Sequence, residues 1–173
     1  MFYQTWGRAV AVVAVLCVPL MGGDYDHVFD VAKEVWPERT MAMAFCNKDA
    51  NEMALIELAD SAKAHNLSLM IVDLRDEKEY NRTVASALSR NPGMVLIIDD
   101  DALLGAKGHL TARLIYRVQG KDIPVVGISK DLIKLGAVLA TGSGAGDPVY
   151  AAKALAKKMN LALPEKTVEV PAK

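Results

Sequence analysis

The chain has 173 residues, a formal net charge of −1 and 52% hydrophobic residues, enough apolar material for one ordinary globular core. Its 20 Lys and Arg are balanced by 21 Asp and Glu, and no basic run occurs along it. That balance argues against nucleic acid or an anionic membrane surface as a partner, since both demand a concentrated positive face.

Residues 1–23 carry one charge, Arg8, followed by an apolar run over 9–20. A charged start and a short apolar stretch make the profile of an export signal. The run falls short of the roughly 20 residues of a membrane-crossing helix, and Pro19 interrupts its end. The expectation is a signal peptide or N-terminal anchor over 1–23, which places one domain over 24–173 in the periplasm or otherwise outside the cytoplasm. Met21-Gly22-Gly23 is a poor cleavage site, so removal and retention both stay open. Leu16 before Cys17 argues against lipid attachment there, and cleavage would leave Cys46 without a disulfide partner.

Beyond the leader the chain alternates strand-like and helix-like pieces. Strands are predicted over 41–45, 67–72, 94–98, 123–128 and 137–140, most of them continuous apolar runs of the kind covered on both faces. Asp49-Ala50-Asn51-Glu52 reads as a capped helix start, followed by Leu55, Leu58, Ala59 and Ala62 on one face, with Asn66 as a left-handed stop. Tyr80, Val84 and Leu88 form the next helical stripe, ended by Asn91-Pro92-Gly93. A third helix spans 110–118 and closes at Gln119-Gly120. Asp147-Pro148 reads as the N-cap and first helical position of a last helix that buries Ala152, Leu155, Ala156 and Met159. Residues 167–170 read either as a terminal strand or as a free tail. The fold class expected is α/β, a three-layer parallel sheet of about five strands with helices on both faces, flavodoxin-like in its rhythm.

In open parallel sheets ligands gather beyond the carboxyl ends of the strands, where loops converge and helix N-termini point. Those ends read Cys46-Asn47-Lys48-Asp49, Asp73, Asp99-Asp100-Asp101 and Ser129. Asn47, Asp100 and Ser129 are the candidate ligand-binding residues, able to hydrogen-bond a small polar solute; turn polarity and helix capping are the plainer explanation for each. The acidic triplet invites a metal, but consecutive carboxylates do not face one way, and a site would need Asp49 or Asp73 from another loop. Gly142-Ser143-Gly144-Ala145-Gly146 lacks the lysine of a phosphate-binding loop and reads as a flexible turn. His27, His65 and His109 show no metal-ligand spacing, no nucleophile elbow occurs, and Cys46 has no evident partner. No catalysis, metal or cofactor is expected.

Several segments in order resemble one family. Val31-Ala32-Lys33-Glu34-Val35-Trp36-Pro37 is similar to a proline-ended helix that precedes a strand; Ile98-Asp99-Asp100-Asp101 is similar to a Leu-Pro-Asp-Pro turn with Asp100 at the acidic place. Ile123-Pro124-Val125-Val126-Gly127-Ile128-Ser129 is similar to Ile-Pro-Val-Phe-Gly-Phe-Ser, and Leu132-Ile133-Lys134-Leu135-Gly136-Ala137 follows it. These segments resemble the second lobe of ABC-transporter substrate-binding proteins, the periplasmic-binding-protein-like family, over residues 31–170. The resemblance implies one of two similar lobes that close on a ligand by a hinge. It further implies uptake of a small polar solute such as an amino acid. The implied partners are an ABC-transporter permease and a second lobe from another chain, or a second copy in a homodimer. Two other readings stand beside it: an interaction or scaffold module that has lost its ligand, and a receiver-like phosphoacceptor domain. The receiver reading rests on Asp99, Asp100 and Asp101 at the third strand's end and Ser129 at the fourth's. It lacks an acidic pair at the first strand's end and a lysine after the fifth, where Thr141-Gly142 stands.

Overall fold

An apolar run with no polar interruption, Met41–Cys46, forms β1 and is buried from Ala42 onward. In this computed structural model of the chain, which describes residues 25–171 except 145, β1 lies between two parallel neighbours. The expected leader over 1–23 lies outside the described residues. Among the described residues no helix is long and apolar enough to cross a membrane.

The elements run α1 Asp26–Val35, β1 Met41–Cys46, α2 Glu52–Ala64, β2 Ser68–Asp73, α3 Tyr80–Leu88, β3 Met94–Ile97 and α4 Thr111–Gln119. They continue with β4 Val125–Gly127, α5 Asp131–Lys134, β5 Leu139–Ala140, β6 Tyr150–Ala151, α6 Lys153–Lys158 and β7 Val168–Glu169. One sheet of seven strands holds them in the order β2-β1-β3-β4-β5-β6-β7. The first five strands are parallel, in the order typical of flavodoxin-like sheets.

Alternation along each strand divides the core between the two faces. Met43, Phe45, Val95, Ile97 and Val125 meet Tyr80, Val84 and Leu88 of α3 and Leu114, Ile115 and Val118 of α4. Ala42, Ala44, Leu96 and Val126 meet Val28, Phe29 and Ala32 of α1 and Leu58 and Ala62 of α2. The three layers follow from this: every central strand has to be apolar on both sides, and it is. Trp36, buried on the second face, donates its indole N–H to Ala162 O at 3.0 Å.

Four returns to the sheet turn on a left-handed residue with a short polar side chain: Asn66 (φ 55°), Asn91 (52°), Asp122 (57°) and Asn160 (53°). Asn and Asp tolerate this region better than other residues with a β-carbon.

The stretch 147–152 departs from the sequence reading. The last helix begins at Lys153 and not at Asp147. Asp147 Oδ2 instead accepts from Gly144 N at 3.0 Å, closing the glycine-rich turn, and its carboxylate fills the space a side chain on Gly142 would need. Tyr150 and Ala151 then pair antiparallel with Ala140 and Leu139, and Ala152 N–H continues the bonding to Val138 O at 3.0 Å. Backbone pairing along an open sheet edge outweighs the helix-start signal of Asp147-Pro148, because it satisfies several amides at once. The tail forms β7 and pairs with β6, so the sheet is two strands wider than the parallel core.

Candidate functional site

The loops after β1 and β3 are fastened together by one buried carboxylate. Asp101 is 3% exposed, and its Oδ2 accepts from Asn47 N at 2.9 Å and Asn51 Nδ2 at 2.8 Å. Its Oδ1 accepts from Leu103 N at 3.0 Å and Leu104 N at 2.8 Å. A carboxylate with four donors has its lone pairs fully used. Asp101 is therefore an organiser of the edge.

Asn47 is tied into the same corner. Its Oδ1 accepts from Asp49 N at 3.1 Å and Ala50 N at 3.4 Å, and its carbonyl accepts from Asn51 Nδ2 at 2.8 Å. The approach to α2 is thus held by Asn47 through an Asx-type turn, and not by a capping box at Asp49. Asp49 instead pairs with the Arg75 guanidinium through both carboxylate oxygens, and Arg75 Nε reaches Asp73 Oδ2 at 2.8 Å. Partial burial would raise the Asp73 carboxyl, but the Lys48 amide and Arg75 outweigh it and hold Asp73 below the ordinary carboxylate range.

Beside this corner, over the ends of β1, β3 and β4, lies an open cleft of about 480 Å³. Ile98, Ile128 and Met53 give it apolar walls, while Asp49, Glu52, Glu57, Asp99 and Asp100 line it with carboxylates; no described lysine, arginine or histidine lines it. Asp99 Oδ1 is buried without a hydrogen-bond partner. Burial pushes the Asp99 carboxyl above its ordinary range, and neighbouring Asp100 adds to the effect, against a weaker pull from Lys107. A buried acceptor among like charges is the arrangement that a cationic or hydrogen-donating ligand relieves.

Of the three residues read from the sequence, Asp100 lines this cleft. Asn47 and Ser129 lie on the same sheet edge outside its lining. Ser129 Oγ accepts from Asp131 N at 3.3 Å at the start of α5, while its neighbour Ile128 faces the cleft. Sequence reasoning read Glu52 only as part of a helix start and passed over Glu57; their position over the cleft depends on how α2 sits on the sheet. It grouped Asp99, Asp100 and Asp101 without separating them. The structure separates them: Asp99 Oδ1 is unpartnered, Asp100 is exposed, and Asp101 is buried and saturated.

Cys46 is fully buried, and burial, then Asp101 and Asp73, push its thiol up to about 12. It stays protonated at neutral pH and is a packing residue. His65 bridges Ser61 O and Asp30 Oδ1, each at 2.8 Å; His109 meets Glu77, and His27 meets Asp147 O. Among the described residues no group of three or more His, Cys, Asp or Glu could hold a metal ion.

No family model matches the chain, and no curated protein matches it by sequence. Its fold does match solved structures. A conserved domain protein from Vibrio cholerae superposes with a TM-score of 0.68 at 16% identity, over 85% of this chain and 60% of that one. An ABC domain in complex with L-Trp from Streptococcus pneumonia superposes at 0.71 and 11% identity, over 86% and 62%. A ligand-free, open substrate binding protein with adhesive properties from Clostridium difficile superposes at 0.66 and 13% identity, over 84% and 59%. The chain spans about three fifths of the length of each. At these identities the likeness is one of fold: a mostly parallel α/β sheet flanked by helices.

Proposed function

We propose that this chain is an exported, non-catalytic solute-binding domain that holds a small polar solute bearing an ammonium group in the cleft over β1, β3 and β4. The observation that carries the reading is the unpartnered, buried Oδ1 of Asp99 beside Asp100, in a cleft whose described lining has no positive side chain. An ammonium group supplies both the missing donor and the missing charge. Ile128 and the exposed Met53 offer the apolar surface a side chain of an amino acid would cover. In this reading Asn47 and Ser129, on the same edge, add hydrogen-bonding groups for a ligand that extends beyond the cleft. The fold likeness to an L-Trp complex supports an amino acid or similar amine as the solute.

In this reading the chain corresponds to the second lobe of an ABC-transporter substrate-binding protein and delivers its solute to a permease. The opposite wall of the cleft comes from another chain or from a second copy. A thermal-shift screen of amino acids and simple amines, run to millimolar concentration and followed by native mass spectrometry, tests it. A ligand at about 100 times its dissociation constant should stabilise the domain by roughly 2.7 kcal/mol. Asp100→Ala should weaken that ligand by about 1 to 3 kcal/mol with little change in melting temperature. If no amine shifts the melt and Asp100→Ala is silent, the edge is an interaction surface and the solute reading fails.

A further inference from the structure

β2 is the outermost described strand at one edge of the sheet. Ser68 N–H donates to Thr40 O and Leu74 N–H to Cys46 O, both at 2.8 Å on the β1 side. The two-residue alternation of a parallel ladder therefore turns the amides and carbonyls of Leu69, Ile71 and Asp73 outward. Natural edges are usually blunted by a charge, a proline or a bulge. Leu69-Met70-Ile71-Val72 carries no charge and no proline, and pairs with β1 in unbroken register.

A groove follows each side of this strand. One, of about 580 Å³, runs between β2 and α3 over Met70, Val72 and Ala87; the other, of about 570 Å³, runs between β2 and α2 over Leu69 and Ile71. An added strand sends alternate side chains to opposite faces, so the pair of grooves fits one extended segment. The rims are basic. Arg82 and Arg90 flank the first groove and Lys63 the second. Arg82 reaches Glu79 only at 3.7 Å with its side chain 84% exposed. The one carboxylate in either lining, Asp73, is already held by Arg75 and the Lys48 amide.

We infer that β2 is a docking strand for an extended, acidic segment of a partner protein, which adds to the sheet with apolar side chains in the two grooves and carboxylates against Arg82 and Arg90. Charge selects this occupant over a second copy. Two-fold antiparallel pairing of β2 with β2 would lay α3 beside α3 and set Arg82 toward the other copy's Arg90, like charge against like. Arg82 and Arg90 are roughly 12 Å apart along the helical direction, close to the spacing of strand residues four apart. The segment thus carries acids at positions i and i+4 with an apolar residue between them.

The probe is a fluorescein-labelled peptide, acetyl-Thr-Glu-Val-Val-Val-Glu-Thr-amide, titrated with the purified chain by fluorescence anisotropy. It should bind, and the version with both Glu replaced by Lys should bind about tenfold or more weakly. Of two versions N-methylated at alternate amides, the one blocked on its pairing edge should lose binding. Arg82→Glu combined with Arg90→Glu should reverse the preference between the Glu and Lys peptides. Ile71→Pro, which removes an outward N–H and none of the ladder to β1, should abolish binding; the methylated peptides give the same information without altering the fold. Absence of binding to about 1 mM, equal affinity for Glu and Lys peptides, or indifference to both methylations overturns the proposal. So does a dimer in sedimentation that Ile71→Pro converts to monomer. None of these readouts depends on the cleft, so the docking strand and the solute site stand or fall separately.

Discussion

Asp101→Ala tests whether the sheet edge is organised as described. The substitution removes an acceptor from four donors: Asn47 N, Asn51 Nδ2, Leu103 N and Leu104 N, at 2.8 to 3.0 Å. Asn51 Nδ2 keeps its second partner, Asn47 O at 2.8 Å. The two backbone amides at Asn47 and Leu103 are only partly buried, so water can replace the carboxylate there. Leu104 N, on a fully buried residue, has no such recourse. Charge-assisted bonds contribute about 1.5 to 3 kcal/mol each, and a stranded buried donor about 1 to 3 kcal/mol. Discounting the wet pair, the loss sums to roughly 4 kcal/mol, which lowers the melting temperature of a domain this size by about 10 °C. Asp101→Asn should recover little, because its amide would face two of the four donors with donors of its own. Urea and thermal unfolding followed by circular dichroism measure both variants. A loss below about 1 kcal/mol for the alanine variant would refute the view that this carboxylate holds the two loops together.

Three further outcomes are expected. Val126→Asp, in the centre of the sheet and fully buried, should cost on the order of 3 kcal/mol or more by denaturant titration, since Val126 packs within an apolar cluster; a mild effect would contradict the packing of β4. Cys46 should resist alkylation near about pH 8 in the native protein and react once unfolded, as read by peptide mass mapping that separates it from Cys17; ready native labelling would contradict its burial. Asp99 has a folded-state pKa raised above its unfolded value, so its stabilising effect is full below the ordinary carboxylate range and is lost as pH rises through the raised value. Asp99→Asn should therefore melt higher than the parent at neutral pH and about level with it in acid. A melting difference that does not change between about pH 3 and pH 7 would show that Asp99 carries no burial penalty.

The parallel core was legible because its strands are buried on both faces, which writes itself as apolar runs: 41–45, 67–72 and 94–98 each fall within a residue or so of an observed strand. The left-handed stop at Asn66 was legible because few residue types serve there. β6 was not, since Asp147-Pro148 carries a local helix signal, and the competing pairing of Tyr150 and Ala151 depends on an edge offered by β5 that the local sequence does not display. The edge that bears the candidate site was readable from polar residues following apolar strands. The division of labour within Asp99, Asp100 and Asp101 was not, because three identical side chains in sequence differ only in burial and partners. Asn47 illustrates the same limit: a residue type suited to ligands is equally suited to holding its own loop, and the structure uses its oxygen for the loop.

The strand order also sets out how the chain assembles. β1 pairs with both β2 and β3, the two strands that follow it, so three strands close through successive short crossovers. Loop-closure entropy favours these contacts early, and β4 and β5 then add at one side in the order in which they are made. The last two strands are held by less: each is two residues long, and among the described strands β7 pairs with β6 alone. Assembly thus runs from the amino-terminal half outward. The far edge is the part that docks last and opens first, while the β2 edge belongs to the earliest and most persistent part of the sheet.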